Sequence, residues 1–321
     1  MWQQALLILE YLIVVSLVVF ASIKASKYID MLDKTTKLSG AFLGGVLLSA
    51  ITSLPELFTS ISATLLIEKP SLCLSNILGS NIFNMAVLAL SLTAAIKHFS
   101  KRETSKGNIL VTLFIISIYA VLLLNMFNIL DRDIATVNIT SLAIVALYIF
   151  GVRYLAKEDS GESCEVAEDI TLTTKQIAIR FTLASVALVA LSVMMTYITD
   201  DIATEFNIGT GLAGAIFLGV ATSLPEVSST IALVRLRNYN IAIGNIVGSN
   251  LFNFFVLFIA DLLCIHSTIY EFQDQRIVAL LEFSLFASIA LLPLLKVRKK
   301  WVKVVAAIAV VVCYVMSLLR E

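Results

Sequence analysis

The chain has 321 residues, 59% of them hydrophobic and only 14% charged, with no formal net charge and a mean hydropathy of +0.95. A soluble globular protein is nearer half apolar and a quarter charged, so this composition excludes one and leaves little room for a soluble domain.

Apolar runs of about twenty residues, the length that crosses a bilayer as a helix, recur along the whole sequence and define ten expected spans. Span 1 covers 4–23. Its apolar run, Leu6–Ser22, has no basic stretch ahead of it, and Lys24 and Lys27 come after it, so it reads as a retained helix rather than a secretory leader. Span 2, at 38–67, carries "TSLPE" at Thr52–Glu56. Span 3, at 71–96, carries "NILGSNIFN" at Asn76–Asn84. Spans 4 and 5 lie at 107–127 and 134–154. An acidic stretch from Ala156 to Thr171 follows, with Glu158, Asp159, Glu162, Glu165, Glu168 and Asp169. It reads as a solvated connection, with an acidic sensor patch as the rival reading. Span 6 lies at 175–198. Span 7, at 208–234, repeats "TSLPE" at Thr222–Glu226, and span 8, at 240–265, carries "NIVGSNLFN" at Asn245–Asn253. Spans 9 and 10 lie at 276–295 and 301–319.

The distribution of basic residues tests this count, because cytoplasmic loops carry the excess of Lys and Arg. Of the 23 such residues, only Lys69, Arg132, Arg276 and Arg320 fall on the side opposite the rest. The split implies ten spans with both termini outside the cytoplasm, in the plasma or inner membrane.

The two motifs recur in the same order at nearly one offset, 170 residues from Thr52 to Thr222 and 169 from Asn76 to Asn245. The chain therefore reads as an internal duplication: residues 1–155 with a motif region at 44–84, a cytoplasmic linker at 156–174, and residues 175–321 with a motif region at 214–253. Five spans per half is odd, so the second half enters the membrane in the opposite sense. The expected fold is an all-α polytopic membrane protein, ten transmembrane helices in two inverted five-helix repeats. Transporters built this way place the substrate site near the bilayer midplane, between interrupted helices.

Pro55 and Pro225 interrupt spans 2 and 7. A proline removes a backbone hydrogen bond, and irregular backbone at membrane depth is tolerated only where it is buried or lines a cavity. Each proline is followed by a carboxylate, Glu56 or Glu226. Such a group costs several kcal/mol at mid-membrane, and no basic residue lies within either motif to pair with it. Carboxylates beside freed carbonyls are hard oxygen ligands, suited to cations such as calcium. Thr52, Ser53, Ser80 and Asn84 match Thr222, Ser223, Ser249 and Asn253 in the second half. Ser80 and Asn84 share one helix face by their i, i+4 spacing. Taken singly, these hydroxyls and amides equally well serve as hydrogen bonds between membrane helices. Asn81 and Asn250 point to another face and can satisfy loosened backbone between helices. No catalytic triad, phosphate loop or zinc motif occurs, and the four cysteines have no metal-ligand spacing. Neither an enzyme nor a resident cofactor is expected.

The paired motifs resemble the α-repeats of the calcium/cation antiporter superfamily, specifically the compact prokaryotic sodium/calcium exchangers, and the resemblance covers the whole chain. It implies alternating access, with spans 1 and 6 sliding past a core of the other eight. It also implies ion ligands at Thr52, Ser53, Glu56, Ser80 and Asn84, and at Thr222, Ser223, Glu226, Ser249 and Asn253. Three departures stand out. The residue before each threonine is Ile51 or Ala221 where those exchangers usually have glycine. Ser75 stands opposite Gly244. Asn253 replaces the aspartate of well-known members, which leaves two carboxylates in place of three. The expected function is Ca2+ efflux driven by Na+. Exchange of Ca2+ or another divalent cation for H+ is the alternative, and a cation channel is the rival from another class. Expected partners are inorganic cations and the lipid bilayer, without nucleic acid or an obligate protein partner.

Overall fold

The computed structural model describes residues 2–65, 70–134, 136–157, 171–206, 221–264 and 268–320. The acidic linker, apart from its ends, and the first part of span 7 lie outside these residues. The described chain is almost entirely helical, as its composition requires, because hydrocarbon offers no partner for an unpaired backbone group.

In chain order the helices are α1 (Trp2–Thr35), α2 (Gly40–Thr52), α3 (Leu54–Leu65), α4 (Pro70–Ala94), the short α5 (Ile96–Phe99), α6 (Lys106–Met126), α7 (Ile139–Lys157), α8 (Thr174–Glu205), α9 (Leu224–Arg235), α10 (Tyr239–Leu263), α11 (Gln275–Lys296) and α12 (Lys300–Leu319). Among the described residues, eight helices are long and apolar enough to span a membrane, and α2 with α3 forms a ninth span bent by 44°. The tenth expected span is represented by α9 and the residues just before it.

Three boundaries differ from the sequence reading. α1 runs to Thr35, because its later turns bury Ala25, Ser26, Ile29 and Asp30 against the protein and so stay helical beyond the apolar run. α8 extends to Glu205, past the apolar end of span 6, so position 200 is helical. α7 begins only at Ile139, because the residues before it form a small antiparallel ribbon pairing Asp133 with Asn138 and Ile134 with Val137.

The large core is built from α4, α6, α10 and α11, with residues such as Leu78, Ile82, Ile118, Tyr119, Phe254 and Leu291 buried together. Tyr119 and Phe254 meet edge to face, ring centroids 5.0 Å apart. A second, smaller cluster is separate: Val14, Val18 and Ala21 of α1 pack against Leu188, Met195, Ile198 and Ile202 of α8. Gln4 of α1 bonds to Glu205 of α8, so the two helices run antiparallel.

α2 and α10 cross with their backbones nearly touching. A Cβ on Gly44 would lie 2.3 Å from the carbonyl oxygen of Ile241, and one on Gly248 would lie 2.3 Å from that of Gly45. Only glycine permits this approach, the small-residue contact by which membrane helices associate without a hydrophobic drive between them. Over Leu43–Leu48 the backbone of α2 widens into a π-turn. Such turns are rare in helices and concentrate at functional sites. This one leads directly into the "TSLPE" break.

Candidate functional site

The break has the same local cause in both halves. Pro55 has no N–H, so the carbonyl of Ile51 loses its helical donor, and Pro225 does the same to Ala221. The residue two before each proline takes up the bend: Ser53 sits at φ −94°, ψ 8° and Ser223 at φ −87°, ψ 4°. This is the sparsely populated bridge region, where many active-site residues are found. A new helix then starts. Glu56 falls in the first turn of α3 and Glu226 in the first turn of α9, where unsatisfied N–H groups and the positive end of the helix dipole favour a negative charge. The proline thus creates the helix terminus that makes the following carboxylate tolerable.

All ten residues expected at the site are buried, and the two glutamates are completely so. Their contacts cross between halves. Ser53 Oγ donates to Glu226 Oε1 at 2.9 Å, and Ser223 Oγ donates to Glu56 Oε1 at 3.2 Å. Ser223 Oγ also lies 3.4 Å from Ser80 Oγ. Thr222 interacts with Glu56 and Thr52 with Glu226. Thr52 Oγ1 donates to the carbonyl of Ser49 at 3.2 Å and lies 3.4 Å from Ser249 Oγ. The eight hydroxyl and carboxyl groups therefore form two mirrored networks of four, Ser53, Glu226, Thr52 and Ser249 in one and Ser223, Glu56, Thr222 and Ser80 in the other. Asn84 and Asn253 stand one turn beyond Ser80 and Ser249, and belong to a second network, of amides.

That second network is the part whose bonding the sequence did not show. Asn81 and Asn250 bond to each other's backbone carbonyl, Asn81 Nδ2 to Asn250 O at 3.4 Å and Asn250 Nδ2 to Asn81 O at 3.0 Å. Their own side-chain oxygens then accept from the neighbouring amides, Asn253 Nδ2 to Asn81 Oδ1 at 2.9 Å and Asn84 Nδ2 to Asn250 Oδ1 at 3.2 Å. A further pair braces the broken helices: Asn76 donates to Thr59 and Asn245 to Thr230, each at 3.2 Å. The signal for both pairs was present, since asparagine stands at 76 and 81 and again at 245 and 250.

Four buried oxygens of the site have no hydrogen-bond partner in the structure: Glu56 Oε2, Glu226 Oε2, Asn84 Oδ1 and Asn253 Oδ1. They are two pairs of repeat mates. An unpaired buried acceptor costs about 1–3 kcal/mol and more when charged, and all four are hard oxygens of the kind that ligate a cation such as Ca2+. Among the described residues no cluster of three or more Asp, Glu, His or Cys could hold a metal by itself. The donor set here is instead two carboxylates supplemented by amides and hydroxyls.

The family profile described as "Sodium/calcium exchanger protein" matches residues 6–156 and 177–320, nearly the entire chain. The chain belongs to the sodium/calcium exchanger family. It is therefore a multi-pass membrane protein of a family of cation exchangers. Among its relatives is inner membrane protein YrbG of Escherichia coli, 27% identical over 253 residues that cover 75% of this chain and 74% of that protein. Another is the putative antiporter CaxA of Alkalimonas amylolytica, 24% identical over 221 residues, 68% of this chain and 69% of that one. The fold is similar to that of the sodium-calcium exchanger NCX_Mj soaked with Na+, with a TM-score of 0.75, 20% identity, and coverage of 98% of this chain and 99% of that chain.

Proposed function

We propose that this protein is a secondary antiporter that exchanges Ca2+ for Na+ by alternating access, in the direction of Ca2+ efflux. The observation that supports this reading best is the set of four unpartnered buried oxygens, contributed symmetrically by the two halves. Two carboxylates balance the charge of one divalent cation. Glu56 and Glu226 would be the charged ligands and Asn84 and Asn253 neutral ligands, and some of the six hydroxyls of Thr52, Ser53, Ser80, Thr222, Ser223 and Ser249 would suffice to complete a shell of the roughly six to eight oxygens that calcium takes. The serines that now donate to Oε1 can rotate to offer a lone pair to an arriving cation, since a hydroxyl both donates and accepts. Family membership supports exchange over channel conduction, and a relative named as a putative antiporter supports it further. The termini would lie outside the cytoplasm, with the basic loops inside.

One observation favours a second reading, exchange of Ca2+ for H+. Asn253 leaves the site with two carboxylates, which two protons can neutralise as fully as one Ca2+, whereas several Na+ ions would leave it positive unless neutral oxygens carry the excess. Initial Ca2+ uptake into proteoliposomes separates the two. The sodium reading predicts uptake driven by an outward Na+ gradient at fixed pH, and little uptake from an outward proton gradient without Na+. Sodium-free uptake at a comparable rate overturns sodium coupling and establishes the proton alternative. Uptake that needs neither gradient identifies a channel.

A further inference from the structure

The amides beside the site obey a constraint that their positions alone do not reveal. An asparagine side chain has one end that accepts and one that donates, and only the oxygen end can face a cation. The backbone carbonyls of Asn81 and Asn250 can only accept. Each faces the other residue's side chain, so that side chain must present its Nδ2 there, at 3.4 and 3.0 Å. This fixes which way each of the two amides is turned. Asn81 is left with Oδ1 toward Asn253, which must answer with Nδ2, and Asn250 is left with Oδ1 toward Asn84, which must do the same. The remaining atoms, Asn253 Oδ1 and Asn84 Oδ1, are the unpartnered buried oxygens. Turning either outer amide over would set oxygen against oxygen at about 3 Å and would point an N–H at the cation.

We propose that Asn81 and Asn250 are positioning residues: anchored on each other's backbone, they dictate that Asn253 and Asn84 present oxygen rather than nitrogen to the transported ion. The inference rests on the reading of these residues as cation ligands. It also bears on specificity. Asn81 offers an acceptor to position 253, so this chain is matched to an amide there. A carboxylate at 253 would meet Asn81 Oδ1 without a proton to share. Asn81 cannot turn to accommodate it without setting its oxygen against the carbonyl of Asn250.

A double-mutant cycle on the purified full-length protein tests this, read as the dissociation constant of 45Ca2+ at equilibrium. In the native background Asn81→Ala frees Asn253 to turn, and Ca2+ binding weakens by about tenfold, the lower end of the loss usual when a ligand's outer partner is removed. In an Asn253→Asp background the same Asn81→Ala change costs less than about twofold or improves binding. A carboxylate presents an oxygen whichever way it turns, and the opposed acceptor is gone. Equal losses in the two backgrounds mean that Asn81 only supports the fold, and they overturn the proposal. Unchanged binding in both Asn253→Ala and Glu226→Gln is a different failure, because it removes the cation site itself. Should Asn81→Ala not yield monodisperse protein, the mirror cycle of Asn250→Ala with Asn84→Asp decides by the same criterion.

Discussion

The pair α4 and α10 and the pair α1 and α8 are repeat mates of equal rank in the sequence, yet they are packed by opposite rules. In α10, 67% of the apolar stretch is buried, and in α4 61%. These helices carry Ser80, Asn81, Asn84 and their counterparts, and α10 meets the backbone of α2 through Gly244 and Gly248. In α1 only 22% of the apolar stretch is buried and in α8 28%. Leu9, Leu12, Phe20, Leu183 and Val186 lie open on their outer faces, where a bilayer supplies hydrocarbon in place of water. α1 and α8 pack chiefly on one another, over much of their length through a cluster separate from the main core, which they enter only at one end, through Ala25, Ile29 and Leu32 of α1 and Ile177 and Phe181 of α8. Polar groups need fixed partners, and a fixed scaffold provides them. A smooth apolar contact has many equivalent positions, which suits the sliding that the proposed alternating access requires. On that proposal, the difference divides the molecule into a part that would hold the ion and a part that would move across it.

Substitutions at chosen points of each pair can break that division. The largest effect is expected at the break itself. Glu56→Gln or Glu226→Gln keeps the size of the side chain and removes its charge, so Ca2+ transport is abolished while the protein stays folded with an equal or higher melting temperature, an amide being easier to bury than a carboxylate. Transport at the normal rate in either variant would remove the two-carboxylate site. Next is Gly248→Ala, which drives a methyl group into the carbonyl of Gly45. It should cost about 1–3 kcal/mol by overpacking, measured by thermal unfolding in detergent. The same measurement on Leu12→Ala, on the open face of α1, should show a much smaller change. Equal losses would mean that α1 is as tightly packed as α10.

A smaller effect is expected where the two parts are tied. Asn238 donates to Asp30 at 2.9 Å and to Asp33 at 2.8 Å, both on α1, while its oxygen caps the start of α10. Asp30 also pairs with Lys34. Asn238→Ala releases the end of α1 from the scaffold without touching the site. Turnover should change several-fold while the apparent KM for Ca2+ stays within about twofold, the pattern of a changed conformational step rather than changed binding. A raised KM with unchanged turnover would show that Asn238 acts on the site through α10 instead.

Much of this division was legible in the sequence. The doubled motifs gave the repeat, the prolines gave the breaks, and two carboxylates without basic neighbours singled out the candidate site, because each is a local violation of what a membrane helix tolerates. What stayed hidden depends on residues far apart in the chain. Ser53 was a candidate ligand, but its bond to Glu226 requires the two halves to face each other at one register. The two backbone carbonyls that orient the amides belong to ordinary helical residues and leave no trace in composition. The π-turn at Leu43–Leu48 reads as plain apolar helix, since only its contact with α10 distinguishes it. The long extension of α1 was missed because a helix that leaves the membrane no longer needs an apolar circumference. Its buried face is only a stripe, including Ser26, Ile29 and Asp30.

The proposed site holds one cation between the two halves, on Glu56, Glu226, Asn84 and Asn253. Anomalous diffraction from crystals soaked in Ca2+ locates it directly. One site is expected, within about 2.3–2.6 Å of an oxygen from each glutamate, and it should vanish in Glu226→Gln. A calcium peak elsewhere in the chain, with none between the glutamates, or one that persists at full height in that variant, would contradict the account.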